Sequence, residues 1–276
     1  MAGTVNDPRR TELAGALREV TDRIERACAR AGRSPAEVRL LAVTKTFPAS
    51  DAALLTDLGV TELAENRDQE AAEKVREVAR VRPGAAPRWH MVGRLQRNKA
   101  RSVARWAAEV QSVDSLRLAD ALSRAAGAAL DAGERDRPLD VLIQASLDDD
   151  PSRGGCPLDE VVTLADAIAH RGEHLRLRGV MAVAPLGADP EPAFARLAAA
   201  AERLRSAHPA ATEMSAGMSG DLDQAIAYGS TCVRVGTALL GGRGLASPSA
   251  RSTHSGVRGP GVGGPHETTA EGEGEA

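Results

Sequence analysis

The chain has 276 residues, enough to bury one large core or two smaller ones. A formal net charge of -3 creates no overall field favouring nucleic acid or an anionic membrane, so small-molecule chemistry is the better expectation. The polar N-terminus lacks the apolar run of a signal peptide, no stretch is long enough to span a bilayer, and three dispersed cysteines form neither a zinc pattern nor a disulfide framework, which implies a cytoplasmic protein with buried, reduced thiols and no metal site.

Residues 1–10 read as disordered. Over 11–31, Leu13, Leu17, Val20, Ile24, Ala27 and Ala31 fall on one helical face, and Gly32 stops the helix. Residues 38–44 form an apolar strand that runs into Lys45. Alternation continues from there. Helices are predicted at 50–58, 68–80, 98–106, 115–132, 157–170, 190–205 and 221–228, and the strands between them at 61–64, 88–92, 109–113, 139–146, 175–182, 212–215 and 231–235. Such alternation demands a parallel sheet, and eight strand-helix units over roughly 240 residues fit a single α/β domain at 11–242, a (β/α)8 TIM barrel, better than an open doubly wound sheet. From 243 to 276 the chain turns to Gly, Ser, Pro and Glu with hardly any large apolar residue, the composition of a disordered tail.

In such a barrel the chemistry sits at the C-terminal ends of the strands. Lys45 is there, where a partly desolvated amine is a nucleophile suited to Schiff-base formation; the plainer reading is a lysine that snorkels to solvent. After strand seven comes Ser215-Ala-Gly-Met-Ser-Gly-Asp221, and after strand eight Gly236-Thr237. Small residues at these two places are what a phosphate site needs, although either loop alone is equally a turn and a helix cap. Arg234 interrupts an apolar strand and requires either an acidic partner on a neighbouring strand or a ligand. His90 and Asn66 end strands three and two, and each is ambiguous between structural and ligand-binding roles. The basic run 94–105 lacks interleaved aromatics and has helical spacing, so it reads as a solvated face.

Taken together, Ala42-Val-Thr-Lys45, Glu65-Asn66, Trp89-His-Met-Val-Gly93 with Leu95-Gln96 and Asn98-Lys99, Gly179-Val-Met-Ala182, Ser215-Ala-Gly-Met-Ser219 and Gly229-Ser-Thr-Cys-Val-Arg-Val-Gly-Thr237 resemble the pyridoxal phosphate homeostasis family, also called proline synthase co-transcribed homologues. The resemblance implies a barrel of the alanine racemase N-terminal type that holds pyridoxal 5'-phosphate as a Schiff base on Lys45. It implies that Ser215, Ser219, Gly236 and Thr237 meet the phosphate, that Arg234 faces the pyridine nitrogen, and that Asn66, His90, Met181 and Met218 complete the cofactor site. It further implies a monomeric carrier and regulator in intracellular cofactor homeostasis, not a strong catalyst, with apo forms of pyridoxal-phosphate enzymes as partners and neither nucleic acid nor membrane among them. Two positions depart from the family pattern. Arg67 stands where an aromatic is common, and Arg153 stands where a lysine is common; an arginine cannot form an imine.

The alternatives that share the barrel and lysine are an amino-acid racemase and a lysine-dependent aldolase. Racemisation needs a second acid/base group, in the racemases a tyrosine from an additional domain, and the only tyrosine here is Tyr228. A permanent cation at Arg234 also weakens the ring as an electron sink. Nothing in the motifs resembles an aldolase.

Overall fold

The computed structural model describes residues 7–148, 153–170 and 173–242, so the expected tail at 243–276 lies outside the described residues. Eight parallel strands close in sequential order, β1 pairing with both β2 and β8. They are β1 (Arg39–Val43), β2 (Glu62–Glu65), β3 (Arg88–Met91), β4 (Glu109–Val113), β5 (Leu139–Gln144), β6 (Leu175–Met181), β7 (Glu213–Ser215) and β8 (Cys232–Val235). The helices are α1 (Pro8–Arg30), α2 (Ala49–Asp57), α3 (Asp68–Val81), α4 (Ala100–Trp106), α5 (Leu116–Asp131), α6 (Val161–Ala169), α7 (Glu191–Ala207), α8 (Leu222–Ala227) and α9 (Thr237–Leu240). Among the described residues no helix is long and apolar enough to cross a membrane.

Helix α1 begins at Pro8 and so corrects the expectation of disorder up to residue 10. Asp7 caps it, accepting the Arg9 N–H at 3.0 Å, and proline suits the first helical turn because that position needs no N–H donor. Helix α6 starts at Val161 instead of 157, and the short α9 after β8 has no periodic signal long enough to predict it.

The scarcity of aromatics shows in the outer layer. Small side chains such as Ala119, Ala125, Ala126 and Ala129 on α5 bring the helices close to the sheet, and Cys28, Cys156 and Cys232 are all buried and free. Strand alternation turns Leu41 and Val43 into the barrel, where they pack with Ala64 and Cys232, while Ala42 faces the helices.

The floor of the barrel is polar. Arg39 reaches across it to Glu62 at 3.2 Å, to Glu109 at 3.1 Å and to Glu213. Burial pushes the Glu109 carboxyl up, but His90, Arg39 and Gln111 outweigh it and hold the group at about 2. Glu213 goes the other way, raised by burial and by the neighbouring Glu109 charge.

Candidate functional site

At the C-terminal mouth of the barrel lies a cavity of about 660 Å³. Lys45, Asn66, Gly93, Met181, Met218, Ser219, Arg234, Gly236 and Thr237 all line it, so six strands and the loops after them converge on one space.

Lys45 sits in the turn just beyond β1 and is exposed, which corrects the expectation of a partly desolvated amine. The strand stops two residues earlier because the chain turns at Thr46, whose φ of 68° is the only positive non-glycine value among the described residues. A β-branched residue in that region is strained and persists only where surrounding structure holds it, a feature that clusters at functional sites.

Arg234 is buried at the cavity wall, and all of its hydrogen-bond partners are neutral. Nη1 donates to the carbonyl oxygen and to Oγ of Ser215, both at 2.8 Å, and Nη2 donates to the Ala182 carbonyl at 2.8 Å. No carboxylate among the described residues pairs with it, so the ion-pair alternative fails. Burial lowers its pKa from the ordinary value and outweighs the opposing pull of Cys232 and of the Asp221 charge, neither of which bonds to it.

Ser215 and His90 are placed otherwise than expected. Neither lines the cavity, because both point into the barrel below it. Ser215 Oγ donates to Gln111 Oε1 at 2.8 Å and accepts from Arg234, so its hydroxyl is spent on the wall beneath the site. His90 is wholly buried, with Nδ1 3.0 Å from Glu109 and Nε2 against Glu62. Burial lowers its pKa, but the two carboxylates outweigh burial and raise it, so the floor network favours the protonated ring. Gln111 joins the two, donating to Glu109 at 2.8 Å. Sequence reasoning did not single out Gln111; its only signal is a polar residue inside a strand buried at every position.

The two loops expected to act together do meet. The Ala238 N–H in the first turn of α9 donates to Ser219 Oγ at 3.3 Å, and Arg23 from α1 braces the Ser219 carbonyl at 2.5 Å. A Cβ on Gly236 would lie 3.2 Å from the Val43 carbonyl, so the residue is small because β1 passes close by. Asn66 carries a buried Oδ1 with no hydrogen bond. Its backbone is pressed against Gly93, where a Cβ would come within 2.2 Å of the Asn66 carbonyl oxygen.

The departing arginines are occupied elsewhere. Arg67 is exposed and pairs with Glu70 at 2.9 Å, and Arg153 bonds Asp148 and the Ala184 carbonyl at 2.9 Å. Tyr228 bonds Glu191 at 3.4 Å and does not line the cavity. Arg97, Arg101 and Arg105 are exposed on the 3-10 turn before α4 and on α4 itself, as a solvated face requires.

Fold and mouth together define a barrel of the alanine racemase N-terminal class: the family model described as "Alanine racemase, N-terminal domain" matches residues 16–244. Alanine racemase of Corynebacterium glutamicum itself, at 16% identity and a TM-score of 0.60 over 83% of this chain and 60% of that one, shares the fold alone. The chain belongs to the pyridoxal phosphate homeostasis protein family, being 47% identical over 248 residues to the Mycobacterium tuberculosis protein of that name, which covers 87% of this chain and 96% of the relative. Among solved structures it is similar to PipY of Synechococcus elongatus with pyridoxal phosphate bound, at 32% identity and a TM-score of 0.67 over 79% of this chain and 99% of PipY.

Proposed function

We propose that this protein binds pyridoxal 5'-phosphate in the mouth cavity, attached as a Schiff base to Lys45, and that it stores and hands on the cofactor without strong catalysis. Arg234 is the observation that carries this reading. A buried guanidinium with only neutral partners leaves positive charge and hydrogen-bonding capacity at the cavity wall, which suits an unprotonated pyridine nitrogen. The remaining residues fit the same group. Ser219 and the first turn of α9 at Gly236 and Thr237 offer hydroxyl and N–H donors for a phosphate. The unpartnered Asn66 Oδ1 accepts a hydrogen bond from a ring hydroxyl, Met181 and Met218 supply apolar wall, and the free Lys45 amine faces the aldehyde. When bound, the cofactor supplies an electrophilic aldehyde and an electron sink, and Arg234 weakens the sink by disfavouring protonation of the ring nitrogen.

Ser215 acts in this reading through Arg234, and His90 through the floor network beneath. The carrier role places the protein in the cytoplasm as a monomer whose partners are the cofactor and apo forms of pyridoxal-phosphate enzymes, with no nucleic acid or membrane. Its one barrel domain ends near residue 242.

Borohydride reduction followed by peptide mass mapping tests the attachment. The pyridoxyl label is expected on the peptide containing Lys45, and Lys45→Ala is expected to lose the Schiff-base absorbance. Label found mainly on Lys74 or Lys99, or undiminished absorbance in Lys45→Ala, overturns the proposal.

A further inference from the structure

Lys74 lies within α3, yet it is buried, with 8% of its surface exposed. Its Nζ donates to the Thr44 carbonyl at 2.7 Å and pairs with Glu65 Oε1. Thr44 Oγ1 donates to the same carboxylate oxygen at 2.6 Å. The three side chains therefore close a ring through the backbone of Thr44. That carbonyl belongs to the peptide unit joining Thr44 to Lys45, and the strained turn at Thr46 follows immediately. Glu65 in turn directly precedes Asn66 at the cavity wall.

Stability does not account for this arrangement. Taking two charges out of water costs more than their attraction returns unless every lone pair is satisfied, and Glu65 Oε2 is buried without a hydrogen bond. An apolar pair of similar volume would serve the core as well or better. What the ring supplies is orientation. It ties the end of β1 to β2 and α3 and sets the plane of the peptide from which the Lys45 side chain starts.

We propose that Lys74 and Glu65 are positioning residues that hold the Thr44 backbone so that the Lys45 amine meets the cofactor aldehyde at a single place and angle. This rests on the Schiff-base reading of the site. Misplacement of a reacting group by about 1 Å costs on the order of a hundredfold in rate, so the effect falls on bond formation and leaves the other contacts intact.

The test mixes apo-protein with pyridoxal 5'-phosphate and follows the rise of Schiff-base absorbance, alongside equilibrium binding of pyridoxine 5'-phosphate, which has no aldehyde. In the double variant Glu65→Leu with Lys74→Met, thermal stability is expected to equal or exceed the wild type. Schiff-base formation is expected to slow by on the order of tenfold to a hundredfold, with pyridoxine 5'-phosphate affinity unchanged. Lys74→Arg, which keeps a cation able to reach both oxygens, is expected to restore most of the rate. A folded double variant that reacts at the wild-type rate overturns the inference, as does equal loss of pyridoxine 5'-phosphate binding. If the double variant does not fold, Lys74→Gln carries the test on the same two readouts. Slow bond formation with intact pyridoxine 5'-phosphate binding supports the inference, and the wild-type rate overturns it. A wild-type protein that forms no Schiff base overturns the parent reading along with this one, whereas a reactive wild type with an equally reactive variant overturns this one alone.

Discussion

Adding one methyl group at Gly93 should both destabilise the barrel and loosen the cofactor. The new Cβ would lie 2.2 Å from the Asn66 carbonyl oxygen and 2.8 Å from its Cα, and moving the nearer contact out to the 3.4 Å of ordinary packing requires about 1.2 Å of backbone movement. Neither backbone yields easily, because the Val92 N–H just before Gly93 is bonded to Glu65 at 2.9 Å and β2 is in register with β3 up to Met91. Overpacking of this kind costs about 3 kcal/mol at the upper end of its usual range. For a barrel of this size that is a fall of roughly 6–12 °C in Tm. Asn66 moves with its backbone, and losing its contact to the ligand costs about 1 kcal/mol, or roughly fivefold in affinity. Gly84→Ala is the control, since a Cβ there meets nothing within 4 Å. Thermal unfolding by circular dichroism reads the first effect, and cofactor retained after dialysis reads the second. If Gly93→Ala unfolds within about 2 °C of Gly84→Ala and keeps its cofactor equally well, the close approach of β2 and β3 at the mouth is wrong.

At Gly236, valine would press branched methyls toward the Val43 carbonyl, already 3.2 Å from a bare Cβ, so Gly236→Val should retain less cofactor on dialysis than Gly256→Val in the tail; retention equal to wild type would remove the strand-eight loop from the site. Glu109 has its folded pKa depressed from 4.5 to about 2, so its contribution to stability is complete above pH 4.5 and is lost as the pH falls toward 2. Denaturant midpoints measured across that interval should decline in the wild type and decline less in Glu109→Gln, which is also expected to be weaker by about 3–5 kcal/mol at neutral pH because it leaves Arg39 and His90 underpaired; parallel pH profiles refute the assignment. Racemisation of L-alanine should be negligible, since Tyr228 is bonded to Glu191 and does not line the cavity, and turnover above about 1 per second in a chiral assay contradicts the carrier reading.

The order of strands and helices was readable from the residues alone because hydrophobic periodicity is local. The alternation from residue 38 to 235 and the positions of Lys45, Gly236 and Thr237 after their strands all follow from neighbours a few places apart. The motifs around Glu65-Asn66, Gly93 and Arg234 were likewise legible as a set, and their resemblance to one family needed no coordinates. What periodicity could not supply was which inward-facing polar residue meets which across the barrel. Strand alternation places Ser215 and His90 on the inner face, but whether an inward residue reaches the mouth or the floor depends on its height in a closed sheet and on partners far away in sequence, here Gln111, Glu109 and Glu62. The same holds for Arg234, whose neutral partners come from β7 and from Ala182 just after β6, and for Lys74, whose burial depends on the Thr44 carbonyl thirty residues earlier. Solvent exposure of Lys45 and the positive φ of Thr46 arise from where the barrel wall ends, a property of the closed sheet that no local run of residues encodes.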